Sequence, residues 1–214
     1  MSGILDMLDS DLGRNIVSGV STESGQPFDK TSNLLTLAMP VLMQAMKRNV
    51  SSPEGAQSLM GALSDKHDGS LLDNLDGFFG GGVDKDAVYD GGKILGHVLG
   101  GKQANVETAL GSKTGMDASS VSQILKIAAP ILLGYLGKKK RQQAVHDSSS
   151  LEGFLGGMLR ANSPQHEQSF LSSFLDADGD GSIIDDVAEI MLNDGGNKKK
   201  GGLGGLLGNL FKRT

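Results

Sequence analysis

The chain has 214 residues, a formal net charge of -5 and no cysteine, and 32 of its residues are glycine, about twice the ~7% typical of proteins. With 38% hydrophobic and 21% charged residues it is too apolar and too weakly charged to be disordered throughout, and the lack of a Gly-X-Y period excludes collagen. The absence of cysteine excludes disulfides, thiolate metal sites and cysteine nucleophiles, and the negative charge argues against general nucleic-acid binding.

Only 4% of residues are aromatic and none is Trp, so the core must come from Leu, Ile, Val, Met and Ala, a mixture that favours helices. The first residues, Met1 to Asp6, lack the basic and apolar regions of a secretory signal, so a cytoplasmic location is expected, with non-classical export as the alternative. Thr22 to Asp29, with Gly25 and Pro27, reads as a loop.

The segment Ser32 to Leu42 then places Leu34, Ala38, Val41, Leu42 and Ala45 at helical spacing. About 90 positions on, Ser122 to Leu132 lies over it without a gap, Pro40 over Pro130, which predicts an internal duplication. Proline inside a helix removes one backbone bond, so each copy is expected to be kinked or to be two short helices. The apolar runs around these prolines reach only about 13 residues, short of the ~20 that span a bilayer.

Between and after the two copies come amphipathic stripes: Leu71, Leu72, Leu75, Phe78, Phe79; then Ile94, Leu95, Val98, Leu99; then Leu151, Phe154, Leu155, Met158, Leu159. Gly80–Gly82 and Gly91–Gly92 fall between stripes, where glycine ends helices. No strand alternation appears. The fold class expected is all-α: many short, glycine-punctuated helices with an internal duplication, followed by a C-terminal helix-loop-helix. Residues 1–160 form the helical domain, with repeat units at about 1–80 and 90–160, and the polar stretch Lys138 to Ser150 reads as a linker. Gly96 to Gln103 mimics a phosphate loop, but it ends in Gln where Ser or Thr should bind magnesium, and no strand precedes it. His67, His97, His146 and His166 show no metal-pair spacing, and His97, inside an apolar module, reads as a packing residue.

The run from Asp90 through Ile94-Leu95-Gly96-His97 to Lys102, followed by Thr114-Gly115-Met116-Asp117 and Ala129-Pro130-Ile131-Leu132, resembles the bacterial domain-of-unknown-function family 937, which is related in character to the YidB-like proteins. The similarity covers most of residues 1–160. It implies an all-helical bacterial domain and supplies no catalytic residues.

Residues 163–194 carry the strongest motif. In Asp176-Ala177-Asp178-Gly179-Asp180-Gly181-Ser182 three carboxylates alternate before a turn glycine, as an EF-hand-like calcium loop requires. Asp176, Asp178 and Asp180 are the expected side-chain ligands and Ser182 the carbonyl ligand. Val187 stands where the closing Glu belongs, so Asp186, or else Asp185, is expected to close the loop around Ca2+. The bland alternative is an acidic surface turn in which Asp180 or Asp185 caps a helix.

In residues 195–214, Leu203, Leu206, Leu207, Leu210 and Phe211 form a last stripe between Lys198–Lys200 and Lys212-Arg213. Such a tail suits a partner's groove, self-association or, more weakly, an anionic membrane surface; packing back on its own core is the alternative. No nucleophile-and-base pair or cofactor fingerprint is recognisable. The sequence therefore points to a non-enzymatic scaffold or binding protein in which calcium orders the tail. A self-assembling structural protein, with the metal as a staple, is the first alternative, and an unrecognised hydrolase the second.

Overall fold

The computed structural model describes residues 3–160, and every regular element among them is helical, as expected. In chain order these are α1 (Ile4–Asp9), α2 (Asp11–Ser24), α3 (Phe28–Asn49), α4 (Pro53–Gly61), α5 (Ser70–Asp73), α6 (Leu75–Phe79), α7 (Lys85–Leu99), α8 (Gln103–Thr114), α9 (Ala118–Gln142) and α10 (Leu151–Arg160). A π-helical turn, Ala62–Lys66, continues α4, and a 3-10 turn, Gly100–Lys102, joins α7 to α8. The helix-loop-helix and the amphipathic tail lie outside the described residues.

The centre is α9, in which every residue from Ile127 to Gly137 is buried. A helix that is apolar all round belongs inside a core. By length and composition it could cross a membrane, yet 78% of its most apolar window is covered by the domain itself. The helices α7, α8, α2 and α5 pack around it, and α3, the second long helix, packs against α9, α2 and α10. The stripe Leu151, Phe154, Leu155 and Met158 is buried, as its spacing predicts.

Each proline lies within one unbroken helical run, Pro40 in α3 and Pro130 in α9. The alternative of two short helices is thereby removed. The long helices also match in what precedes them. Gly25 ends α2 in the left-handed region at φ 65°, with Gln26 N donating to Ser21 O; Gly115 ends α8 at φ 65°, with Met116 N donating to Gly111 O. Both are six-residue Schellman closures. At the same offset of about 90 residues, Ile16 and Val106, Val20 and Leu110, Leu34 and Ile124, Ala38 and Ala128, and Met46 and Leu136 are all buried. This correspondence is what a duplicated helical hairpin requires.

Three local expectations change. Gly91 and Gly92 sit inside α7, because α7 approaches α9 so closely there that a Cβ on Gly91 would meet the Lys126 backbone. The stripe from Leu71 to Phe79 is two short helices, because Asn74 leaves helical geometry and caps α6 through its Oδ1, which accepts from Gly77 N at 3.2 Å. Lys138 to Arg141 continue α9 and do not form a linker: Lys138 pairs with Asp73 at 2.6 Å, Lys140 donates to Ser64 Oγ at 2.8 Å and Arg141 pairs with Asp68 at 3.1 Å. Their partners on the segment between α4 and α6 explain why a basic run remains helical.

Candidate functional site

The last turn of α3 sets one wall of a groove. Ser52 caps α4 by accepting from Gly55 N at 3.1 Å, and residue 55 has to be glycine because a Cβ would lie 2.0 Å from Asn49 O. The Asn49 amide donates to His97 O at 3.0 Å and Val98 O at 3.2 Å, two carbonyls in the last turn of α7. One asparagine thus ties the end of α3 to the end of α7. Beyond α4 the helix widens into the π-helical turn, closed by His67 N donating to Ala62 O at 2.9 Å. Such turns recur at functional sites. His67 O then abuts Gly137 of α9, where a Cβ would lie 1.9 Å away.

Between this wall and α7 lies a cavity of about 510 Å³, with Met46, Leu59, Ile94, Val98 and Leu133 as its apolar lining and Arg48, Asn49, Ser51, Ser52, Ser58 and His97 as its polar lining. A second cavity of about 300 Å³ adjoins it and shares Ser58, Ala62, Ile94, His97 and Leu133. Asp65, Lys66, His67, Asp90 and Lys93 surround this second part. The two form one groove, with most of its apolar lining at the larger end and most of its charged groups at the other.

The charged end is partly self-neutralised. Lys93 donates to Asp90 at 2.9 Å, which holds that carboxyl below the usual carboxylate range and the Lys93 ammonium above its own, and Lys93 also lies 4.3 Å from the centre of the Tyr89 ring. Burial pushes the His67 imidazole below its ordinary value, nearby Lys66 adds to this, and Asp90 opposes it. Among the described residues no hydrogen bond or ion pair engages the His97 imidazole or the Ser58 hydroxyl, which share the wall without bonding each other. The groove can hold a molecule with an apolar body and a polar head.

The expected ligands Asp176, Asp178, Asp180, Ser182, Asp185 and Asp186, and the tail residues Leu203, Leu206, Leu207, Leu210 and Phe211, lie outside the described residues. Among the described residues no group of three or more His, Asp or Glu side chains could hold a metal ion. His97, read from sequence as a packing residue, is exposed on the groove. His67 and Lys66 enter the site only because the π-helical turn carries them there, and no sequence signal announces that turn.

The model of the family described as "Bacterial protein of unknown function (DUF937)" matches residues 6–139 and again residues 142–213, so the second match contains the acidic loop and the tail. No curated protein and no solved structure matches the chain. With an all-helical fold and family matches over nearly its whole length, the chain belongs to the bacterial DUF937 family.

Proposed function

We propose that this chain is a non-enzymatic, cytoplasmic bacterial scaffold or binding protein in which a calcium loop governs the amphipathic tail. The observation that carries the reading is the alternation Asp176-x-Asp178-x-Asp180-Gly181, followed by Ser182 and by Asp185 and Asp186. The donor set is all oxygen, as a hard cation requires, and four or five carboxylates this close repel one another until a cation binds. Ca2+ would neutralise the loop, order the segments on either side and so position Leu203 to Phe211 for a protein partner. The helical domain supports the binding role by presenting a groove that combines apolar and charged lining.

A second reading, homo-oligomeric assembly with the metal as a staple, draws support from incompletely covered apolar side chains on α6 and α7. The α6 helix contains no fully buried residue, and Tyr89 of α7 is 67% exposed. Calorimetric titration of the full chain with Ca2+ tests the first reading: heat is expected, and Asp176→Ala or Asp180→Ala should abolish it. No heat, or heat unaltered by both variants, overturns the calcium loop. Light scattering of the same samples separates the readings, because assembly that persists in chelator makes calcium incidental.

A further inference from the structure

Independently of the calcium reading, we propose that the groove between α4 and α7 binds a small amphipathic anion, an organic monocarboxylate with an apolar body. The larger cavity, about 510 Å³, is the size of a small-molecule site. Its lining by Leu59, Ile94, Val98 and Leu133 suits an alkyl chain or a ring, alongside the polar side chains of Arg48, Asn49, Ser51 and Ser52.

The other end selects the head group. Three basic or donor side chains, Lys66, His67 and Lys93, face two carboxylates there, and Lys93 already engages Asp90. Lys66 makes no hydrogen bond or close ion pair among the described residues, and the His97 imidazole stands unengaged where the two cavities meet. A carboxylate at that junction would accept hydrogen bonds from Lys66 and His97 while its body lies on Ile94 and Leu133. A cationic head would have Asp65 to meet, but it would also face Lys66, and Asp90 is already taken by Lys93.

The groove is also preformed. Asn49 fixes its mouth by joining α3 to α7, and the π-helical turn sets Lys66 and His67 on its rim. Preformed sites avoid the ordering cost of binding.

The test is a calorimetric titration of the full chain with decanoate below its micellar concentration, with chelator present so that the acidic loop plays no part. Saturable one-to-one binding is expected, at least tenfold tighter than that of 1-decanol. Lys66→Ala, a substitution at an exposed position, should weaken decanoate about tenfold and leave decanol unchanged. Decanoate should also shift the His97 imidazole resonances, and His97→Ala should weaken its binding. Absence of saturable binding overturns the site. Equal affinity for acid and alcohol, or indifference to both variants, overturns the anion selectivity and leaves only an apolar cleft.

Discussion

A Cβ on Gly91 would stand 1.8 Å from the Lys126 carbonyl oxygen, whereas one on Gly92 would meet only the end of the Lys126 side chain at 3.8 Å. The hydrogen that occupies that direction on Gly91 points at the oxygen. Pro130, four residues past Lys126, has no N–H to offer the same carbonyl, so the weak Cα–H contact from α7 faces an acceptor that the proline leaves open. Gly91→Ala should therefore force α7 from α9 and cost about 1–3 kcal/mol. Gly92→Ala should stabilise by up to about 1 kcal/mol through helix propensity alone, and urea unfolding of the pair checks both signs. His67 gives a pH signature. Its pKa is below its ordinary 6.5 in the folded chain, chiefly from burial, so the unfolded chain takes up the proton first as pH falls. The contribution is complete above pH 6.5 and is lost as pH drops from there through the folded value. Unfolding measured from pH 7.5 to 5.5 should show this loss, and His67→Gln should flatten it.

At the scale of elements, many buried positions share one register in the α2–α3 and α8–α9 hairpins, and at Thr31 the match breaks chemically. Thr31 is fully buried with its hydroxyl unpartnered, and its counterpart in the other hairpin, Val121, is equally buried. Thr31→Val should keep the shape, remove the unsatisfied oxygen and stabilise by about 1 kcal/mol, read as a raised urea midpoint. The long helix of each hairpin was legible in the sequence because a 3.6-residue apolar period is a local property of the chain, whereas α2, α8 and the left-handed turns at Gly25 and Gly115 were not read there. Elsewhere local reading failed for physical reasons. Gly91 and Gly92 look like a helix end, yet tertiary contact with α9 is what uses Gly91. The stripe Leu71 to Phe79 has perfect helical spacing, yet Asn74 bonds Gly77 N and breaks it. Lys138 to Arg141 look like a solvated linker, yet carboxylates and a hydroxyl from distant segments hold them on α9.

Over the whole molecule, the apolar helices assemble around α9, and the groove forms where α4 loosens beside α7. Helical class and core were readable because they are sums over many residues. The groove was not, because Asn49, the neighbouring pair Lys66 and His67, and His97 are remote from one another in sequence and meet through a clamp and a widened turn. The acidic loop is the reverse case, since its chemistry is written in consecutive residues. The paired hairpins also bear on how the chain finds its fold. Two helices with the same proline, the same turn and the same buried positions are near-equivalent partners while the chain collapses, and an exchanged arrangement would satisfy much of the core. The contacts that tell the copies apart are those without a counterpart: Gly91 on Lys126, Asn49 on His97 and Val98, and Lys140 on Ser64. Each is a lock that only the correct pairing closes, so these few polar and close-packed points carry the discrimination that the repeated apolar surfaces lack.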